Sequence, residues 1–264
     1  MPVVRSETRD GVCTVTLCDT EHRNALGRQL ITEMVQAFEI AEADDDVRVI
    51  VLTNEGSAFC AGANLSERSS GSGSDEPAPA AVSSPMDLFG RFARSPKPYV
   101  GRIAGHCVAG GMGLAAAMDI SIALEDAKFG FTEVRIGVAP AVISVVCLPK
   151  MRPADARAAF LRGNRFTAVE AAEMGLINAA VPADRLDDEV DAVVDDLLAA
   201  SPGGVAASKR LLAGVPQMAT DEAFAWTSKL SAELFTTEEA REGMTAFLEK
   251  RTPSFARRRH PEPT

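Results

Sequence analysis

The chain has 264 residues, of which 46% are hydrophobic and 24% are charged, a composition typical of a folded, water-soluble protein. Its 37 acidic residues outnumber 27 Lys and Arg residues, which gives a formal net charge of −10. A chain this acidic repels the phosphates of nucleic acids and anionic membranes, so we expect neither as a partner. One small anionic ligand is still compatible, because a local pocket can oppose the overall field.

Targeting signals and metal motifs are absent from the sequence pattern. Charged residues occur within the first seven positions, so we expect no signal peptide. The most apolar stretch, 107–124, is interrupted by glycines and by Asp119, unlike a membrane-spanning helix. The five cysteines are scattered and, with three histidines, show no metal-ligand spacing. We therefore expect reduced thiols, a cytoplasmic location and no metal site.

The first part of the chain predicts alternating strands and helices. Residues 3–8 and 12–17 alternate apolar and polar side chains around a turn at 10–11, which predicts a hairpin. A helix capped by Asn24 is predicted next, because apolar residues recur every four positions, and a buried strand follows at 47–53. This succession indicates an α/β fold.

Residues 66–85 have a different composition, dominated by Ser, Gly, Pro, Ala and acidic side chains. Since ordered patterns continue on both sides, we interpret them as a mobile surface loop and not as a domain linker. Beyond the loop, the pattern predicts a helix at 86–94, strands at 99–107 and 120–124, and a small-residue helix at 114–118.

The second half of the chain is predicted to be mainly helical. A capping box begins at Thr167, and amphipathic helices are expected at 184–200 and 221–250. The expected organisation is an α/β core in residues 1–190 followed by a helical region in 191–264.

Two segments of small residues, each after a predicted strand, carry the first indication of chemistry. The segment 59–65 centres on Gly62, and the segment 109–113 opens a helix with Gly110. Backbone of this kind can approach a ligand closely and point N–H groups at it, aided by the helix dipole in the second case. One amide from each segment would bind an oxyanion. Both segments are equally typical of tight turns with close packing.

Other catalytic motifs do not fit the sequence. The glycines lack the G-x-G-x-x-G spacing of a dinucleotide-binding turn, and neither a phosphate loop nor a G-x-S-x-G elbow occurs. His106 lies near the second glycine segment, but a single histidine there is more often structural than catalytic.

Taken together, the motifs resemble the ordered signature of the crotonase family, also called the enoyl-CoA hydratase/isomerase superfamily. Any one glycine block would be weak support, whereas a series in the family's order over nearly the whole chain is strong support. The similar segments are 24–26, 59–65, 97–98, 109–114, 129–133, 165–168, 171–177 and 242–251.

The resemblance implies a spiral of ββα units with a helical C-terminal part that assembles trimers or pairs of trimers. It implies an acyl-CoA substrate whose thioester oxygen lies between the amides of Ala63 and Gly110, with Glu133 as acid and base. Coenzyme A is then part of the substrate, and no separate cofactor is expected. The positions it places along the substrate are Arg23, Ala25, Ala61, Gly62, Asn64, Leu65, Gly113 and Lys250.

Two positions depart from the family pattern. Hydratases with two glutamates have the first of them where Gly113 stands, whereas the second is retained as Glu133. An aspartate often follows the first Ala-Gly-Ala, and its place is taken here by Asn64, for which a simple capping role is the alternative. Glu133 also has a structural alternative, as a carboxylate at the end of an element.

Two groups of cations have alternative interpretations. Lys250 matches a C-terminal basic residue that approaches the coenzyme A phosphates in related trimers, and the alternative is a solvated lysine on a helix face. The basic tail at 257–259 either assists the anionic end of coenzyme A or only adds solubility.

Three functions are consistent with this pattern. The leading hypothesis is an enoyl-CoA hydratase that adds water to a 2-enoyl-CoA with Glu133 as a single acid/base. The alternatives are a Δ3,Δ2-enoyl-CoA isomerase and an acyl-CoA-binding member of the family without turnover. In each case, we expect the 66–85 loop to border the acyl pocket.

Overall fold

The computed structural model describes residues 1–69 and 85–259, which form ten strands, eleven α-helices and three short 3-10 helices. The strands are β1 (Val4–Arg9), β2 (Val12–Leu17), β3 (Val49–Asn54), β4 (Ala58–Cys60), β5 (Tyr99–Ile103), β6 (His106–Val108), β7 (Ile120–Leu124), β8 (Lys128–Gly130), β9 (Phe166–Thr167) and β10 (Ala179–Val181). The helices are α1 (Arg28–Ala43), α2 (Leu65–Ser69), α3 (Pro85–Arg94), α4 (Gly110–Ala117), α5 (Ala141–Cys147), α6 (Pro153–Arg162), α7 (Ala168–Glu173), α8 (Leu186–Ala199), α9 (Pro202–Gly214), α10 (Thr220–Phe235) and α11 (Glu238–Glu249).

The strands form two sheets that the chain visits alternately. The larger sheet has the order β1-β2-β3-β5-β7-β10, and the smaller has the order β4-β6-β8-β9. The hairpin β1–β2 and the pair β8–β9 are antiparallel, and all other neighbours in these sheets are parallel. The pairs β3–β4, β5–β6 and β7–β8 each contribute one strand to each sheet before a helix follows. This is the ββα spiral that the sequence resemblance implies.

The larger sheet is buried on both faces, which explains the continuous apolar run in β3. Ile50 and Leu52 belong to the main core, whereas Val49 and Val51 pack in a second core with α8. A strand covered on both faces has no solvent side and therefore loses the alternation of apolar and polar residues. The helix α8 covers one face of this sheet. Residue 190, the expected end of the α/β core, falls inside α8.

The sequence pattern predicted that Asn24 caps α1, and this prediction is wrong. The helix begins at Arg28, and its N-cap residue is Gly27. Asn24 is fully buried, and its side-chain amide donates to the carbonyl oxygens of Glu55 at 3.2 Å and Ala58 at 2.8 Å. It ties the loop before α1 to the loop before β4, so a tertiary contact competes successfully with the local capping role.

Three further predictions need correction, and one is confirmed. The predicted strand 99–107 is two strands, β5 and β6, which enter different sheets, and the predicted helix 221–250 is divided into α10 and α11. The predicted loop 66–85 begins within α2, and most of that loop (residues 70–84) lies outside the described residues. The capping box at Thr167 is present as predicted. Within the described ranges, no helix is both long enough and apolar enough to cross a membrane.

Candidate active site

The register of the smaller sheet brings the two small-residue segments together. Cys60 in β4 pairs with Cys107 in the parallel strand β6. Ala63 and Gly110 each follow three residues after these partners, so both lie at the same edge of the sheet. The carboxyl ends of neighbouring parallel strands are where loops from different parts of a chain meet.

The first loop is held by a backbone bridge to Leu26. The Leu26 amide donates to the Gly62 carbonyl at 2.6 Å, and the Asn64 amide approaches the Leu26 carbonyl at 3.5 Å. Ala63 lies between these two contacts, and within the described chain its own N–H has no acceptor. The bridge therefore fixes the residues on both sides of an amide that is available to a ligand.

The second loop presents the first amide of α4. The Ala109 N–H donates to the Gly130 carbonyl at 2.9 Å, and Ala109 has a positive φ of 50°, which turns the chain sharply into the helix. As the first residue of the helix, Gly110 has no preceding turn to accept its N–H, and no other acceptor lies within the part of the chain described. The helix dipole adds positive potential at this point.

The two loops touch through their glycines. A methyl group on Gly62 would lie 2.6 Å from Cβ of Ala109 and 3.1 Å from the nitrogen of Gly110. A methyl group on Gly110 would lie 2.8 Å from Cδ1 of Leu26. Side chains at either position would push the loops apart, so glycine is what allows the loops that carry the Ala63 and Gly110 amides to lie against each other. Two converging N–H groups can bind an oxygen that carries developing negative charge.

Glu133 opens a short 3-10 turn, Glu133–Ile136, just after β8. Its side chain is half-buried, and its Oε2 atom is buried without a hydrogen-bond partner among the described residues. Burial raises the pKa of this carboxyl group above its ordinary value. A partly desolvated carboxyl group with a free oxygen is suited to accepting and returning a proton.

Glu133 and the start of α4 both lie near Cys147 of α5. Burial, together with the nearby Glu133 carboxylate, raises the pKa of Cys147 to about 12. The Cys147 thiol in turn lies 3.6 Å from the carbonyl of Met112, two residues after Gly110. The carboxyl group, the thiol and the start of α4 thus belong to one neighbourhood.

The place of the second family glutamate is filled by apolar side chains. A methyl group on Gly113 would lie 2.4 Å from Cγ2 of Ile143 and 2.8 Å from Cε1 of Phe89. Both side chains are buried. The departure at Gly113 is therefore accompanied by packing that leaves no room for a carboxylate.

The other predicted substrate positions near Ala63 belong to its own loop and to the loop before α1. The Ala61 amide donates to the carbonyl of Arg23 at 3.1 Å, which joins the Ala63 loop to the loop before α1. The Arg23 side chain is exposed. Ala25 is buried, and Leu65 is 55% exposed at the start of α2. The Asn64 side-chain oxygen accepts hydrogen bonds from the Ser66 hydroxyl and the Glu67 amide, so the capping alternative for Asn64 is present in the structure.

Lys250 and the basic tail lie elsewhere. Lys250 ends α11 in a left-handed conformation with φ 55°, and no described contact joins it to either amide loop of the same chain. Arg259 pairs with Asp191 and Asp195 of α8, and the Arg257 amide donates to the Leu198 carbonyl. The Arg257 guanidinium donates to the Asp46 carbonyl at 2.7 Å. Both arginines are therefore engaged within the chain, and the structure favours neither interpretation offered for the tail.

Sequence reasoning missed three side chains that shape this site: Phe89, Ile143 and Glu67. Ile143 lies on α5, a short helix that the periodicity did not indicate. Glu67 lies in the segment whose composition predicted a loop, although its carboxylate contacts both α1 and Asn64. An acidic residue three positions after Asn64 is the signal that could have located it.

A ββα spiral of this topology, with two small-residue loops side by side at one edge of the smaller sheet, defines a crotonase-fold protein. The family model described as enoyl-CoA hydratase/isomerase matches residues 7–258. The chain therefore belongs to the enoyl-CoA hydratase/isomerase family.

Relatives and solved structures agree with this assignment. The chain is 33% identical over 254 residues to the enoyl-CoA hydratase EchA19 of Mycobacterium tuberculosis, with 96% of each chain covered. It is 36% identical over 246 residues to a Thermus thermophilus protein provisionally named an enoyl-CoA hydratase, covering 92% of this chain and 97% of the relative. The crystal structure of an enoyl-CoA hydratase from Mycobacterium smegmatis superposes with a TM-score of 0.87 at 29% identity, covering 97% and 99% of the two chains.

Gly113→Ala tests the packing at the position of the missing glutamate. We expect it to lower the free energy of unfolding by about 1–3 kcal/mol, since the added methyl group overlaps Ile143 and Phe89. The gain of about 1 kcal/mol that Ala normally brings to a helix offsets part of the overlap cost, and we expect the net change to remain destabilising. In urea denaturation, Gly113→Ala with Ile143→Ala should cost less than the sum of the single variants, and simple additivity would contradict the overlap.

Glu133→Gln tests the burial of the free carboxyl group through stability. The raised pKa means that the folded state disfavours the charged form, so wild-type stability falls as the pH rises through that pKa. The glutamine variant lacks this loss. Its stability relative to wild type should therefore be greater at pH 8 than at pH 4, as measured by urea denaturation at both values. A difference that is the same at the two pH values would show that the carboxyl group is not desolvated.

Proposed function

We propose that the protein is an enoyl-CoA hydratase-type enzyme that adds water across the 2,3 double bond of a 2-enoyl-CoA. The amides of Ala63 and Gly110 would form the oxyanion hole, and Glu133 would be the single acid/base. The proposal rests mainly on the buried Oε2 atom of Glu133, which has no hydrogen-bond partner among the described residues, in a chain of this family. The names of the relatives support the same reaction class.

In the proposed hydration, the two amides stabilise negative charge and Glu133 transfers the protons. Attack of water on C3 moves electrons toward the thioester oxygen, where the two N–H dipoles stabilise the negative charge. One donor of this kind typically lowers the barrier by about 3 kcal/mol. Glu133 takes the proton from the attacking water and returns a proton to C2, so the net change is addition of one water molecule. Coenzyme A enters as part of the substrate, and no separate cofactor takes part.

The packing at Gly113 favours a second candidate, isomerisation of a 3-enoyl-CoA to a 2-enoyl-CoA. Ile143 and Phe89 occupy the place from which a second carboxylate would help to hold the water. With one carboxyl group, Glu133 can remove a proton from C2 and deliver it to C4, a reaction that needs no water. The same oxyanion hole stabilises the enolate between these steps.

Two substrates separate the candidates. The purified protein, in buffer with a metal chelator, is incubated with crotonyl-CoA and separately with a 3-enoyl-CoA. Hydration removes the absorbance of the conjugated enoyl thioester from the first, and isomerisation creates it in the second. We expect loss with crotonyl-CoA, and a roughly 10²- to 10⁴-fold lower kcat in Glu133→Gln with acyl-CoA binding retained.

Glu170→Gln is the matched control for this assay. Glu170 belongs to the capping box of α7 and has no contact with the amide loops, so its variant should retain turnover. Full turnover by Glu133→Gln would refute the acid/base assignment. Gain of absorbance with the 3-enoyl-CoA, without loss from crotonyl-CoA, would replace hydration by isomerisation.

We also propose that the helical C-terminal part assembles the chain into a trimer or a pair of trimers. The support is the exposure of large apolar side chains on α10 and α11, where Phe224 and Phe235 are 69% and 65% exposed and Phe247 and Leu248 are 82% and 80% exposed. Apolar surface of this kind is usually covered in an assembly. Light scattering should give three or six times the chain mass, reduced in Phe247→Asp with Leu248→Asp. A monomeric wild type would contradict the proposal.

A further inference from the structure

We propose that Glu67 is a positioning residue that holds the Ala63 amide in place, an inference that rests on the proposed oxyanion hole. Glu67 lies on α2, immediately after the first amide loop, and its side chain does not take part in the proposed chemistry. Its carboxylate joins two segments that lie on either side of the Leu26–Ala63 bridge.

Each carboxylate oxygen of Glu67 has its own partner. Oε2 accepts a hydrogen bond from the Arg28 amide at 3.1 Å, in the first turn of α1. Oε1 accepts one from the side-chain amide of Asn64 at 2.9 Å. Gly27, the N-cap of α1, has no side chain to cap the helix, and a methyl group there would lie 2.3 Å from Oε1 of Glu67. Glu67 thus supplies from another helix the cap that α1 lacks.

These contacts act directly on the bridge that orients Ala63. On one side of the bridge, Glu67 accepts from the amide of Arg28, two residues after Leu26. On the other side, it accepts from the side chain of Asn64, the residue after Ala63. The carboxylate therefore spans the same two chain segments that the bridge hydrogen bonds connect. Of the two bridge contacts, the one from the Asn64 amide is long at 3.5 Å, so an external restraint matters most there.

The position requires two acceptors, which explains why a carboxylate is present. In Glu67→Gln, one oxygen becomes an NH₂ group, which would face the donor NH₂ of Asn64. In Asn64→Asp, two carboxylates would lie where a 2.9 Å hydrogen bond now joins the side chains. When both substitutions are combined, the glutamine NH₂ donates to the aspartate and its oxygen accepts from the Arg28 amide. The combined variant therefore restores both contacts, and donor and acceptor are exchanged only between residues 64 and 67.

The experiment compares wild type, Glu67→Gln, Asn64→Asp and the combined variant in the full-length protein. The first readout is the infrared C=O stretch of bound ¹³C-labelled butyryl-CoA, a saturated thioester that reports polarisation without turnover. The second is kcat and KM with crotonyl-CoA. A poorly placed oxyanion donor lowers kcat more than binding, and we expect about a tenfold to hundredfold loss in each single variant.

The combined variant decides the question. We expect it to recover the carbonyl shift and most of kcat, while both single variants lose part of the shift. Glu170→Gln, which weakens a capping box away from the loops, should change neither readout. Singles that match wild type, or a combined variant as impaired as the sum of the singles, would overturn the role of Glu67.

The same measurements separate this inference from the function on which it rests. A wild type whose bound butyryl-CoA shows no carbonyl shift would contradict the oxyanion hole itself. A wild type with the shift, accompanied by unchanged single variants, would contradict only the positioning role.

Discussion

The close approach of the Gly62 and Gly110 backbones is the constraint on which the site depends. The parallel pairing of β4 with β6 determines that the two loops leave the sheet side by side. The absence of side chains at the two glycines then allows the loops to touch, with the Gly110 nitrogen within 3.1 Å of a methyl position on Gly62. The Leu26 bridge and the contact of Ala109 with Gly130 hold the loops from outside. The Ala63 and Gly110 amides, which have no acceptor in the part of the chain that the structure describes, take their positions from this arrangement of the backbone.

The net charge of −10 is distributed unevenly, and some of the acidic side chains are paired with arginines of the same chain. The acidic face of α8 is partly neutralised by the chain itself, through Arg259 bound to Asp191 and Asp195. The charge of Arg259 is therefore already paired within the chain, and an anionic ligand would have to compete with Asp191 and Asp195 for it. An acyl-CoA would have to be recognised by directed dipoles and local contacts, because the overall field opposes its approach.

The sequence was informative where chemistry is local and ordered along the chain. The family and its ββα spiral could be predicted because short motifs occur in the family's order along the chain. Features that depend on tertiary partners could not be predicted. Asn24 has the composition of a helix cap, but buried carbonyl groups of Glu55 and Ala58 take its side chain instead.

The same limitation applies to the surroundings of the predicted residues. A glycine at 113 is visible in the sequence, but its filling by Ile143 and Phe89 depends on how three helices pack. Glu67 was assigned to a loop by composition, since nothing local shows that α1 lacks a cap of its own. Residues that support a site from another element carry little sequence signal, whereas residues within its motifs carry much.

The most direct test is a crystal structure of the Glu133→Gln variant with a bound 2-enoyl-CoA. We predict that the thioester oxygen lies within about 3 Å of the nitrogens of both Ala63 and Gly110, with C3 facing the side chain at 133. A thioester oxygen that contacts neither nitrogen, in a complex that retains its acyl chain, would contradict the account.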